Sequence, residues 1–421
     1  MVYCLIGAFV LACSSNGNGI DPDDDTISSI VISADSNLLE TGETVNFTVI
    51  ANTGKDVTSS SAITVNGNVI TGSSYTPSES GSYSVKATYE SIQSNFLIVD
   101  VTDPITLVSV QVIATPTAVF VGDVVTFTAT AVYSNNNTLD VTEDSEFSVD
   151  GNAITGTEYT TTAVGTIQVI ASYEGVESDL AEIQVIDRSS LPADFTKKAV
   201  IEDYTGTWCG WCPRVSYAIS LVEDQTDKVF AIGIHNGDVM ANSFGGQMEA
   251  AFNISGFPTA YIDRSSTWTF PEPSNFAQAV SAATGTTDLG LAISNTISGT
   301  TMDINVKTAF VANKDNIKLV VFVLEDNIIA NQINYTDYYG GASTITGFEH
   351  HGVLRYSATA VLGDAITSTI GIHEYDYTVN LASYNVSDVN NTSVVAMLVD
   401  QTGKVVLNAQ KVLVGLTQAF D

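Results

Sequence analysis

The first half of the chain is built from short runs in which apolar and polar residues alternate, a period of two that predicts β-strands with one buried face. The runs are rich in Val, Ile, Thr and Tyr and are separated by Gly, Asn and Asp turns. The pattern occurs twice between residues 27 and 188. Gly42-Glu43-Thr44-Val45-Asn46-Phe47-Thr48 aligns with Gly122-Asp123-Val124-Val125-Thr126-Phe127-Thr128, and Asp-Val-Thr recurs at Asp56 and Asp140. "VNGNVITGSSY" from Val65 matches "VDGNAITGTEY" from Val149, and "GSYSVKATYE" from Gly81 matches "GTIQVIASYE" from Gly165. Each copy reads as an antiparallel β-sandwich. An insertion near Ser134 to Thr138 falls in a loop, where extra residues are tolerated.

After a polar, proline-containing linker from Asp187 to Phe195, the period changes. "KKAVIEDYTG" predicts a strand, and Val215, Ile219 and Val222 then fall on one face of a helix. "KVFAIGIHN" predicts a second strand, "NSFGGQMEAAFNI" a helix, "FPTAYIDR" a third strand and "PSNFAQAVSAATG" a closing helix. From Thr287 the chain is β again. Strands are expected at Leu289–Ser294, Met302–Thr308, Ile317–Leu324, Tyr377–Leu381, Val394–Val399 and Val405–Leu407, which together predict a third sandwich.

Composition limits the function. The chain has 421 residues and a net charge of −33, so it divides into several domains and nucleic acid is excluded as a partner by repulsion. Residues 1–194 carry −22 of that charge and the remainder −11, so the first half presents a solvated acidic surface. At the N-terminus an apolar run, Val2 to Ala12, precedes Cys13. It is too short to span a bilayer and fits an export signal. "VLAC" resembles a bacterial lipobox, which implies lipidation at Cys13, although no Lys or Arg precedes the run.

With Cys4 and Cys13 assigned to the leader and anchor, only Cys209 and Cys212 are left, in "TGTWCGWCPR". A disulfide across two residues closes almost the smallest possible loop and adds little stability. The spacing suits exchange chemistry, in which one thiolate attacks and the second resolves the mixed disulfide. Zinc also uses such pairs but needs about four ligands, and the histidines are scattered at 235, 350, 351 and 373. The pair follows a strand and opens a helix, so Cys209 is expected to be the more accessible cysteine with its thiolate favoured, and Cys212 the more buried. Glu349, His350 and His351 invite a metal, but adjacent histidines on a strand point to opposite faces. No metal and no cofactor are expected.

The stretch from about Lys197 to Gly285 resembles thioredoxin. The likeness rests on Trp208-Cys209-Gly210-Trp211-Cys212, on Asp203 six residues earlier, and on Gly256-Phe257-Pro258-Thr259, which matches the family's cis-proline loop. It implies catalytic roles for Cys209, Cys212, Asp203 and Pro258, with Trp208, Trp211 and Phe257 binding substrate. Glu202 stands beside Asp203 and is an alternative for the acid. Gly210-Trp211 departs from the thioredoxin Gly-Pro pair. The two repeats are similar to bacterial immunoglobulin-like repeats. "VIEDYTGTWCGWCP" and "FEHHGVLR" together resemble the twenty-eight-kilodalton outer-membrane-protein family of Bacteroidetes-type bacteria, which joins a thioredoxin-like domain to a C-terminal β domain.

The expected fold class is therefore multidomain, with two immunoglobulin-like β-sandwiches (27–103 and 104–188), one α/β thioredoxin-like domain (189–286) and one C-terminal β-sandwich (287–421), after a lipoprotein signal and acidic tether (1–26). The expected function is an exported, membrane-anchored thiol–disulfide oxidoreductase of the cell envelope, placed at the outer membrane by its lipid. Its partners would be protein thiols and disulfides, with the membrane reached through the anchor. The alternative is an outer-membrane binding or adhesion lipoprotein that keeps the fold without turnover.

Overall fold

The computed structural model describes residues 26–421; Cys4 and the lipidation site expected at Cys13 lie outside the described residues. The described chain is mostly β-sheet and multidomain. One compact unit runs through Val108 and includes Tyr133–Asn137; the other comprises Ser109–Val132 and Thr138–Asp421.

The first unit holds a three-stranded sheet (Ile30–Ala34, Val45–Ala51 and Ser74–Tyr75) and a six-stranded sheet that includes Leu38–Glu40, Ala62–Val65, Gly81–Tyr89 and Leu97–Thr102. Val45–Ala51 shows why: Val45, Phe47, Val49 and Ala51 are buried, while Asn46 and Thr48 face solvent. Val49 and Phe47 share one core with Ile63, Val85 and Val99 of the other sheet. The recurring Asp-Val-Thr is a turn device. Asp56 accepts from the Thr58 N–H at 2.9 Å and its hydroxyl at 2.6 Å, and Asp140 does the same with Thr142 at 3.0 and 2.6 Å.

Residues 107–186 repeat this strand order. Unlike the first copy, this one is continuous with the rest of the chain: Ala118 and Phe120 pack with Leu191, Phe195, Ala309 and Ile370, and the Asn313 side-chain amide donates to Ala118 O at 2.9 Å.

The remaining elements are β1 (Ala199–Thr205), α1 (Pro213–Glu223), β2 (Val229–His235), α2 (Ser243–Phe252), β3 (Thr259–Ile262), α3 (Phe276–Ala282), β4 (Leu289–Ser298), β5 (Thr301–Phe310), β6 (Lys318–Glu325), β7 (Ile328–Ile333), β8 (Thr344–His350), β9 (Val353–Ser357), β10 (Gly371–Asn380), β11 (Thr392–Val399) and β12 (Val406–Leu413). A nine-stranded sheet runs in the order β3-β1-β2-β9-β6-β11-β12, with Ser266–Thr267 beyond β3 and Asp364–Ala365 beside β6. A four-stranded sheet contains β10, β5 and β4, and β7 pairs with β8 as a separate hairpin.

This arrangement corrects two expectations. Residues 189–286 do not close into a self-contained α/β unit, and the sandwich expected of residues 287–421 is not a separate body. Its two sheets do enclose a core of residues from this stretch, but one of them, β9-β6-β11-β12, continues into β1–β3. The join is at β2 and β9, where Gly233 faces Val353 and its N–H donates to Gly352 O at 2.8 Å. Gly352 has φ +62, and a Cβ there would lie 2.5 Å from Ala231 O, so the close approach requires glycine. The pairing covers an edge that β2 would otherwise expose. Strands β6 and β11 are then buried on both faces and accordingly read as apolar runs, "LVVFVL" and "VVAMLV". Leu319, Val321 and Val323 pack with the four-stranded sheet; Val320, Phe322 and Leu324 pack with Tyr204, Ile232 and Met248. Strands β7 and β9 are absent from the sequence-based expectation, and of β8 only the stretch at Glu349 and His350 is read there as strand.

Candidate active site at the cysteine pair

β1 ends at Thr205, the chain turns through residues 206–212, and α1 begins at Pro213 with Cys212 at its N-cap. A proline suits the first helical position because its missing N–H would have no intrahelical partner there. α1 is held by Val215, Ala218 and Val222 against Ala199 and Ile201 of β1. Cys209 and Cys212 form a disulfide. Both are buried in this oxidised state, Cys209 at 4% and Cys212 at 1% exposure.

The strand's alternation separates the two acids. Asp203 and Thr205 lie beside Gly233 and His235 of β2 and line the same cavity as Ser216, Ser220 and Glu223 of α1. Glu202 points to the opposite face, where it pairs with Arg264 at 2.8 Å, both side chains fully buried. Asp203 is therefore the acid on the side of the cysteine helix. It is 4% exposed, and its Oδ1 has no hydrogen-bond partner. Burial and the nearby charge of Glu272 push its carboxyl up to about 8, against the pull of Arg214. Near neutral pH it holds a proton it can give or take.

The cavity under α1 has a volume of about 310 Å³ and is also lined by His235, His350 and Lys411. His350 is buried, its Nε2 has no partner, and its ring lies 5.1 Å from that of His235. Burial and His235 hold His350 down to about 4. His235 Nδ1 lies 2.7 Å from Asp238 Oδ2. Burial alone would raise Asp238, but the His235 hydrogen bond and charge, with the N–H groups of Thr207 and Met240, bring it to about 2. Glu349 and His351 sit on the exposed side, 3.9 Å apart, so the two adjacent histidines do face apart. Among the described residues, no three His, Cys, Asp or Glu side chains are grouped to hold a metal. Arg355 of the same motif is structural: it pairs with Glu325 at 2.7 Å, and Glu325 also accepts from the Ser387 and Asp388 N–H groups.

The rim is aromatic. Trp208 packs edge-on against Phe257 at 5.5 Å and donates to Asn236 O at 2.7 Å; this contact brings the loop with the cis Phe257–Pro258 bond beside the turn. Trp208 and Trp211 are about half exposed. The residues that sequence reasoning missed come from the β7–β8 arm. The Gln332 amide donates to Gly206 O at 3.2 Å and Cys209 O at 3.0 Å. Ile333 N–H donates to Thr207 O at 2.9 Å, and Tyr335 N–H to Gly210 O at 2.7 Å. No pattern in "IIANQINY" points to the cysteines, because the contact is made mostly by backbone over more than a hundred residues of separation.

Comparison with known proteins gives one family match. Residues 246–418 match a family described as outer membrane protein Omp28. The match covers less than half of the chain and begins after the cysteine pair. No curated protein sequence matches. Among solved structures, HBP35 of Porphyromonas gingivalis superposes with a TM-score of 0.43 at 20% identity, over 52% of this chain and 76% of that one. Domains 4 and 5 of the S-layer protein SbsC give 0.24 at 20% identity over 38% and 98%, and the Yersinia pseudotuberculosis adhesin InvE gives 0.16 at 12% identity over 37% and 58%. These scores are too low to bear on the chain's fold or function.

Proposed function

We propose that the chain is an exported thiol–disulfide oxidoreductase whose residues 189–286 contribute a thioredoxin-like site to the larger sheet. The observation that carries this reading is the Cys209–Cys212 disulfide at the start of α1, with the buried, unpartnered carboxyl of Asp203 on the same side of the sheet. In the reduced chain, Cys209 thiolate would attack a substrate disulfide, forming a mixed disulfide and releasing one substrate thiolate. Cys212, giving its proton to Asp203 in its ionised form, would then attack Cys209 Sγ and release the second thiolate. Two electrons pass to the substrate, the chain keeps the new disulfide, and an external dithiol must reduce it again. Trp208, Trp211, Phe257 and Pro258 would shape the ground on which substrate lies.

The test is insulin reduction by the full chain with dithiothreitol as reductant. Turnover above the rate of dithiothreitol alone, abolished by Cys209→Ala, is expected; no turnover would sink the reading. The outer membrane fits the Omp28 match, and anchoring through Cys13 would be seen as release of Cys13→Ala from the membrane fraction. In this reading the acidic repeats are immunoglobulin-like spacers.

The second reading is a surface binding or adhesion protein that does not turn over. It is favoured by the burial of both cysteines beneath the arm.

A further inference from the structure

The arm does more than lean on the turn. Ile333 and Tyr335 are two residues apart, and both point their N–H groups at carbonyls of the cysteine turn, Thr207 O and Gly210 O. One edge of an extended chain offers donors at that spacing. The Gln332 amide reaches the carbonyl of Cys209 itself. The Tyr335 ring lies on Gly210, where a Cβ would come within 2.3 Å of its Cδ2, and stands edge-on to Trp211 at 5.9 Å. Tyr338 stacks on Tyr217 of α1 at 4.6 Å.

The arm is anchored by Gln332, Asn334 and Thr336, which are buried, while its aromatic side chains lie outside. Tyr335 and Tyr338 remain 62% and 42% exposed. The loop between β7 and β8 passes through Gly340 and Gly341, both at positive φ, and β7–β8 stands outside the large sheet. Local opening of such an element leaves the core intact.

We infer that residues 332–335 lie where an extended substrate chain would lie, so the arm is an internal occupant of the substrate site. The inference rests on the oxidoreductase reading. The partner it implies is an extended polypeptide segment carrying a cysteine, one that can offer backbone N–H groups to Thr207 O and Gly210 O once the arm lifts.

The test uses the full chain, reduced with dithiothreitol, and two thiol reagents: iodoacetamide and a polyethylene-glycol maleimide of protein size. In Gln332→Ala/Tyr335→Ala, labelling of Cys209 by the large reagent should rise about tenfold or more relative to the small one. Tyr335→Phe, which keeps the ring and the backbone donors, should match the wild type. If the wild type and the double variant show the same ratio of rates, the inference is overturned. Should the double variant lose its near-ultraviolet circular dichroism, hydrogen exchange of the wild type decides. Ile333 and Tyr335 amides exchanging faster than those of β6 support an arm that opens, and exchange only together with β6 overturns it. An oxidised linear peptide should react faster than a folded protein disulfide, and the reverse order would overturn the substrate class. If neither chain reduces insulin yet the labelling ratios differ, the oxidoreductase reading falls while the arm's occupancy of the site stands.

Discussion

The two repeats share a strand order and much of their sequence, yet they belong to different compact units. The difference lies in one short strand. In the first copy it is Leu38-Leu39-Glu40, with only Leu39 buried. In the second it is Ala118-Val119-Phe120, with all three buried. Both pair in parallel with the last strand of their copy, so the backbone plan is the same. Glu40 faces water, whereas the equivalent Phe120 joins Leu191, Phe195, Ala309 and Ile370 and lies under the Arg188 guanidinium at 4.6 Å. Ala118 and Phe120, on one face of this short strand, tie the second repeat into the body that carries the cysteines.

Truncation should break the comparison most visibly. A chain beginning at Asp103 should fold and keep the reactivity of the cysteine pair. A chain beginning at Ser190 removes the cover of Phe195, Ala309 and Ile370, and should be strongly destabilised or insoluble, seen as loss of its cooperative melting transition. Equal behaviour of the two truncations would show that the second repeat is as independent as the first. The next test exchanges the deciding residues. Phe120→Glu removes a buried ring and buries a charge, and should cost about 3 kcal/mol or more by urea denaturation. Glu40→Phe changes an exposed position and should leave the midpoint nearly unmoved.

This also shows how much of the fold was legible in the sequence. The alternation that marks the repeats is a local signal, and so is the apolar face of α1 at Val215, Ile219 and Val222. The apolar runs of β6 and β11 were legible as strands, but a run buried on both faces does not say what covers it. That is why the C-terminal region read as a separate sandwich, when one of its sheets is shared with β1–β3. Gly352, which allows the join, is one glycine among 31. At the site, Cys209, Cys212 and Asp203 were legible from spacing and resemblance. The choice of Asp203 over Glu202 needed the sheet to assign each acid a face. Gln332 and Tyr335 were not legible, because they meet the cysteine turn across more than a hundred residues of chain and the carbonyls they reach leave no mark on residue type.

The body differs from the repeats in a second way. Its interior contains Glu202, Asp203, Arg264, Glu325 and Arg355, whereas the buried polar residues in the repeats are Ser94 and Thr161. Asp203 makes this testable. Its folded carboxyl holds its proton up to about 8, against an ordinary value of 3.8, so folding takes up a proton between those limits. Stability therefore falls as pH rises through that window. Asp203→Asn cannot titrate and should gain on the wild type as pH rises from 5 to 8, reaching roughly 2–4 kcal/mol. His350 works in the opposite direction below neutrality: the unfolded ring takes its proton near 6.5 and the folded one near 4, so stability is lost as pH falls through that range. Urea midpoints of both chains at pH 7, 8 and 9 isolate the Asp203 effect. A constant difference across that series would mean that Asp203 is already ionised in the fold.

Breaking the cysteine pair should cost less stability than Phe120→Glu. Its disulfide closes a loop of four residues, for which chain-entropy reasoning gives about 2 kcal/mol or less. Alanine is the better probe than serine, because Cys212 is 1% exposed and a serine hydroxyl there would need a partner. The two alanine variants should thus melt close to the oxidised wild type, well above Phe120→Glu, while differing sharply in chemistry. Cys212→Ala keeps the attacking thiol and should accumulate mixed disulfides with added disulfide peptide, because nothing resolves them. Cys209→Ala should accumulate none. Adding Gln332→Ala and Tyr335→Ala to Cys212→Ala should speed trapping if the arm occupies the substrate ground. A Cys209→Ala chain that traps as readily as Cys212→Ala would reverse the roles. Loss of folding in both would make the pair a structural brace, and the body would then differ from the repeats in packing and buried charge but not in chemistry.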